Sequence, residues 1–189
     1  MTPVMLLPAV LLGFLGGAAL VSPSRRGLSM AKRPSPLPGV PLVRWEHFVA
    51  VMACRPKGWR GPKGRLGTFD MDARRLKDVG LMTKTKKGVV DGAVGVWIGE
   101  WTPPLTEKKF LGSMPLQYAS FIRSMRDMAP KVSGFVGVEV DEVECSLSGL
   151  LGVGHMAGEA GVESWVSDAA VRKRFPGTTE SFMKTNMIF

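Results

Sequence analysis

The sequence predicts a mainly helical single domain with one small β-hairpin, carried behind an N-terminal hydrophobic segment. Three observations predict it. Apolar residues recur at helical spacing through most of the chain after residue 42. Gly, Pro, Ser and Asp cut that pattern into helices of ordinary length. An uncharged run as long as a bilayer is thick comes first, and a Pro-rich stretch follows it. At 189 residues there is room for one domain of common size and a tail, and the 45% hydrophobic and 22% charged content excludes wholesale disorder.

Residues 1–21 (MTPVMLLPAVLLGFLGGAALV) carry no charge. About 20 apolar residues at a rise of about 1.5 Å match the roughly 30 Å hydrocarbon core of a bilayer. Gly13 and Gly17 form a small-residue packing pair of the kind membrane helices use. The positive n-region of a secretory signal is missing, and Arg25, Arg26, Lys32 and Arg33 all follow the run. Three readings stand: a membrane anchor, an atypical signal, and a hydrophobic tail. Residues 22–41 turn to Ser, Pro, Gly, Arg and Lys, with Pro34, Pro36, Pro38 and Pro41 favouring an extended linker. The globular domain is expected over residues 42–189.

Val43, Phe48, Val49 and Met52 sit at helical spacing and predict a first helix, ended by Pro56 and Gly58. A Gly-, Pro- and base-rich loop follows (RPKGWRGPKGRLG), which is not a phosphate-binding P-loop because it holds no GxxxxGK[ST] run. Its Trp59, among Arg55, Lys57, Arg60, Lys63 and Arg65, either stacks a sugar beside a polyanion or tucks into the core. Residues 68–81 predict a second helix with Asp70 or Asp72 at its start, Met71, Leu76 and Val79 inward, and Gly80 as its stop. The two aspartates read as a carboxylate pair or, more simply, as caps and dipole partners.

A Gly and Val stretch then leads into VWIGEWTPPL. Glu100 lies between Trp97 and Trp101, and a carboxylate desolvated by indoles stays a proton donor near neutral pH. The alternative is an exposed turn ended by Pro103 and Pro104. Two helices follow over residues 105–129, the first with Phe110, Leu111 and Met114, the second with Tyr118, Phe121, Ile122 and Met125 as core stripes. Residues 132–145 predict a helix end and the small hairpin, turning at Asp141 and Glu142. Ser146 or Ser148 caps a final apolar helix that breaks at Gly158 and restarts through Trp165.

The net charge of +9 is uneven: residues 25–87 hold 16 Lys and Arg against four acids, and the remainder nine against twelve. Such a basic half attracts polyanions, whether nucleic acid, anionic lipid or envelope polymer. Cys54 and Cys145 are too far apart in sequence for a metal-site spacing, so no zinc, and no other cofactor, is expected. They read either as one disulfide closing a long loop or as two free thiols.

Five segments carry a resemblance. In order they are Gly67-Thr68-Phe69-Asp70-Met71, the Leu76 to Leu81 helix, the Trp97 to Trp101 turn, Phe110 to Gln117, and Ser148 to His155. Together they resemble the lysozyme-like muralytic domains of phages and prophages. Leu150 to Val166 (LLGVGHMAGEAGVESWV) is also similar to the helix, glycine turn, helix segment of lytic transglycosylases, with His155 where that family has a tyrosine. The resemblance implies a lysozyme-like α+β fold, peptidoglycan glycan strands as the ligand, and Phe69, Trp97, Trp101, Gln117 and His155 facing the substrate. It implies a place in a virion or in the host envelope.

In that superfamily a glutamate at the end of the first helix protonates the glycosidic oxygen. Counting back from Gly67 brings this position to Ala53 or Cys54. Glu46 is about 10 Å away along the helix, out of reach of the same bond. Cleavage therefore requires a relocated acid, Glu100 first and Glu159 second, and binding without cleavage requires none. The rival expectation is a structural virion or membrane-anchored protein whose basic loop holds DNA or anionic lipid.

Overall fold

The computed structural model describes residues 35–90 and 92–174, all within one compact unit. The hydrophobic run over residues 1–21 lies outside the described residues; among those described, no helix is long and apolar enough to cross a membrane. The fold is mainly helical, with seven α-helices and two small antiparallel hairpins among these residues.

Helix α1 (Leu42–Met52) starts directly after Pro41 and buries Trp45, Phe48 and Met52, spaced three and four apart. Val43, expected inward, is 71% exposed, because Trp45 claims the inward position on that turn. Two residues assigned by sequence to the linker, Leu37 and Val40, are in the core, so the packed domain begins before Leu42. Arg126 donates to the Pro36 carbonyl at 2.6 Å and ties that segment down.

The basic loop folds back on itself through a short 3₁₀ turn (Pro62–Gly64) and two isolated bridges, Arg60 with Leu66 and Leu66 with Met71. Gly67 has φ +75°, and a Cβ there would stand 2.6 Å from Gln117 Oε1, so this turn needs glycine twice over. Helix α2 (Ala73–Asp78) is capped by Asp72, whose carboxylate accepts from the Arg75 N–H at 2.9 Å, and it stops at Gly80 in the left-handed region.

The largest departure from the sequence reading comes next. Strands β1 (Met82–Val90) and β2 (Ala93–Trp101) form a nine-residue-by-nine-residue hairpin where a Gly and Val connection was expected. Lys84 at φ 45° and Gly95 at φ 78° lie at its two register shifts, as bulge positions do. Three glycines and a run of lysines obscure the period-two pattern that would reveal these strands in sequence.

Helix α3 (Glu107–Gly112) and helix α4 (Met114–Val132) are capped by Thr106 and Ser113. Helix α4 buries Gln117, Phe121, Met125, Met128 and Val132 on one stripe. The expected small hairpin is present as β3 (Glu139–Val140) and β4 (Val143–Glu144), with Asp141 and Glu142 both at positive φ, the requirement of a two-residue primed turn. Helix α5 (Leu147–Ala157), capped by Ser146, is buried continuously from Ser148 to His155 and runs through the centre of the core. Helix α6 (Glu159–Ser167) restarts after Gly158, and helix α7 (Ala169–Lys173) is fastened by Arg172 to Asp141 at 3.0 Å. Trp45, Phe48, Phe69 and Phe121 form a ring cluster between α1, the loop and α4, with Phe69 stacked on Phe121 at 4.3 Å.

Candidate functional site

Helix α1 delivers Ala53, half-buried, and Cys54, exposed, to the position where the resemblance puts a proton donor. The next residue is held in place, because the Arg55 N–H donates to Thr68 O at 3.2 Å. Neither side chain is a carboxylic acid. Cys54 and Cys145 are free thiols, the first exposed and the second buried, which is the second of the two readings the sequence left open. Burial raises the Cys145 thiol pKa, with Arg172 opposing.

Glu100 is not desolvated by its two tryptophans. Successive side chains of a strand point to opposite faces, so Trp97 and Trp101, four apart, share one face, and Glu100 takes the other. Its side chain is 66% exposed and lies 3.4 Å from Lys84 Nζ. Glu159 opens α6 and meets Lys131 Nζ with both carboxylate oxygens at 2.7 Å. It lines a cleft of about 770 Å³ with Arg74, Arg126 and Asp127, which shares no residue with the tryptophan pocket described below.

Three of the expected substrate-facing residues are structural. Gln117 is 1% exposed, accepts from the Thr68 N–H at 2.7 Å, and donates to the Phe110 and Leu111 carbonyls at 3.1 Å. Every polar atom of that amide is used inside the protein. Phe69 is 2% exposed within the ring cluster. His155 Nε2 donates to Phe69 O at 2.6 Å, which fixes the tautomer, while its Nδ1 is buried without a partner among the described residues. Burial, with the nearby Arg75 charge, lowers its pKa to about 3, so the ring is neutral and inaccessible. Arg75 is itself buried and donates to Gly154 O and, at 3.1 Å, to Ser124 Oγ, which joins α2 to α4 and α5.

Trp59 is half-buried, with Nε1 donating to Asp70 Oδ1 at 3.3 Å and the Arg55 guanidinium 5.0 Å from its ring. Asp70 also holds Arg65, and Asp72 is the α2 cap, so the two aspartates are not a catalytic pair.

Trp97 and Trp101 remain, and they meet partners the sequence did not announce. They line a pocket of about 340 Å³ with Arg60, Arg65, Gly99 and Glu107. Arg60 of the loop reaches Glu107 at the start of α3, N to O 3.0 Å, across the pocket rim. Trp101 packs on Phe110 at 5.4 Å, which anchors its ring from behind. Gly61, Gly64 and Gly99 keep the walls bare of side chains. The volume is at the lower end of the range for small-molecule sites, and aromatic walls with a few oriented polar groups are their usual make-up. The larger charged cleft lacks aromatic rings, so the tryptophan pocket is the candidate site. Among the described residues, no group of His, Cys, Asp and Glu is placed to hold a metal ion. The signal for Glu107 and Arg60 was weak in sequence: a glutamate after a threonine cap and one arginine among many. Comparison with family models, curated proteins and solved structures finds no match to this chain.

Proposed function

We propose that this chain is a lysozyme-like, peptidoglycan-directed protein of phage type that binds glycan strands through the Trp97–Trp101 pocket and does not cleave them. The observation that carries the reading is the pocket itself: two indoles on one strand face beside an ion-paired guanidinium and carboxylate. The C–H faces of a pyranose ring stack on indole, and its hydroxyls bond to groups such as Arg60 and Glu107, which offer both donors and acceptors. The ordered segments named above support the choice of peptidoglycan. Binding without cleavage is supported by the site chemistry: Ala53 and Cys54 stand at the acid's position, and Glu100 and Glu159 are ion-paired with lysines. Such a protein belongs in a virion or in the host envelope.

Purified walls decide between binder and enzyme. The wild-type chain is expected to sediment with walls, and Trp97→Ala or Glu107→Gln to weaken that at least fivefold while Glu100→Gln does not. A zymogram is expected to show no clearing. Clearing that disappears in Glu107→Gln or Glu100→Gln makes the protein an enzyme and overturns the reading. Wall binding indifferent to Trp97 and Glu107 removes the pocket from it.

A further inference from the structure

The cleft of about 770 Å³ between α2, α4 and α6 is larger than the tryptophan pocket, and its walls carry charge of both signs. Arg74 and Asp78 come from α2, Arg126, Asp127 and Lys131 from α4, and Glu159 from α6. Lys131 and Glu159 hold each other at 2.7 Å, and Arg126 is tied through Nε to the Pro36 carbonyl. Arg74, Asp78 and Asp127 make no ion pair and no side-chain hydrogen bond among the described residues. Solvated charges are ordinary on a surface, but the two on α2 are placed against their own helix. Arg74 is in its first turn and Asp78 is its last residue, so each opposes the helix dipole, and a base one turn before an acid is the weaker order for a pair. Helix stability does not account for that placement; a ligand with charges of its own does.

The walls also restrict what that ligand is. No aromatic ring lines the cleft, so nothing there stacks a sugar or a base. A polyanion would face Asp78, Asp127 and Glu159, and a polycation would face Arg74, Arg75 and Arg126. A ligand bearing both charges meets a partner for each. Arg74 places the cleft beside the glycan site as well. Its guanidinium lies 6.0 Å from the Trp97 ring and stands against Gly158, where a Cβ would meet it, so one side chain links the cleft to the Trp97–Trp101 pocket. We infer that the cleft takes a short peptide with free ammonium and carboxylate groups, carried as a substituent by the glycan strand. Arg74 receives the carboxylate, and Asp78 and Asp127 receive the ammonium. The inference rests on the glycan reading for the origin of the peptide; the charge chemistry of the cleft stands without it.

The test uses the full chain and calorimetric titration with the free wall tripeptide Ala-γ-D-Glu-Lys. Two blocked forms accompany it, one with its amines acetylated and one with its carboxylates amidated. Each blocked form is expected to bind wild type about tenfold more weakly than the free tripeptide, the share of one charge-assisted contact. Arg74→Gln is expected to lose about the same factor and to stop distinguishing the amidated peptide from the free one. Asp78→Asn with Asp127→Asn is expected to stop distinguishing the acetylated one. Variants that weaken the free and blocked peptides alike have only a structural role, and that result overturns the inference. Absence of heat with the free tripeptide overturns it, and so does inorganic phosphate binding as tightly as the tripeptide, which reduces the cleft to an anion site. A peptide-free N-acetylglucosamine oligosaccharide, followed by tryptophan fluorescence, is expected to bind the double aspartate variant as it binds wild type. Tripeptide binding without oligosaccharide binding supports the cleft and removes the glycan reading, so the two failures are separate results.

Discussion

Replacing Gln117 separates a structural amide from a substrate-binding one. In Gln117→Leu the Thr68 N–H loses its acceptor, and Leu111 O loses its donor at a site only 1% exposed. Phe110 O keeps a second donor, the Ser113 N–H at 3.1 Å. Two buried backbone groups left unpaired at about 1–3 kcal/mol each put the loss near 2–6 kcal/mol, a large share of the roughly 5–15 kcal/mol that stabilises a domain. Gln117→Glu distinguishes the polarity of the site. It keeps an acceptor for Thr68 but, when ionised, turns a carboxylate toward two carbonyl oxygens. Burial among acceptors raises the pKa of such an acid in the folded state above its unfolded value near 4.3. Its stability is therefore greatest below about pH 4.3 and falls as pH rises through the folded value. The assay is urea unfolding followed by tryptophan fluorescence at pH 5 and pH 8, with the slope unchanged between variants. Gln117→Leu is expected to lie below wild type by a similar amount at both pH values, and Gln117→Glu to lie further below at pH 8. A loss under about 1 kcal/mol for Gln117→Leu, with wall binding abolished, refutes the structural assignment and returns Gln117 to the ligand.

Three further outcomes follow from the same packing. Burial holds the folded pKa of His155 at about 3, well below the ordinary imidazole value of about 6.5. The unfolded chain takes up that proton first, so stability present above pH 6.5 drains away as pH falls toward 3, by up to about 4–5 kcal/mol; His155→Gln, compared with wild type across that window by urea unfolding, is expected to flatten the decline. Gly154→Ala puts a Cβ onto Met128 Sδ, and Met128 is fully buried. Overpacking there is expected to cost about 1–3 kcal/mol, whereas Gly134→Ala, which meets nothing within 4 Å, is expected to change thermal stability little. A thiol reagent is expected to titrate one cysteine in the native protein, Cys54, and two after denaturation without reductant; no free thiol in the denatured chain contradicts the separated pair.

The helices were legible because their signals are local. Asp72, Thr106, Ser113 and Ser146 each stand at a helix start with a side-chain oxygen on an N–H of the first turn, and Gly80 and Gly158 stand at ends with positive φ. The Asp141–Glu142 turn was legible for the same reason. The β1–β2 hairpin was not, since strand pairing is a property of two segments and neither segment alternates cleanly. That omission carried through to the site: read as a turn, Trp97-Ile98-Gly99-Glu100-Trp101 clusters its glutamate with its indoles, and read as a strand it separates them.

The sequence by itself determined the mainly helical domain, the uneven charge, the absence of a carboxylate at Ala53 and Cys54, and the tryptophans as the residues to watch. Tertiary structure decided which way each side chain faces. Phe69, Gln117 and His155 resemble ligand contacts in sequence yet are buried, their polar contacts made with distant backbone, because the loop, α4 and α5 close over them. Arg60, one of five basic-loop residues named from sequence, and Glu107, unmarked there, become a pair because β2 and α3 bring the loop and a helix start together. Caps and periodicities are written in neighbouring residues; burial and pairing depend on residues tens of positions away, and only the packed chain sets them.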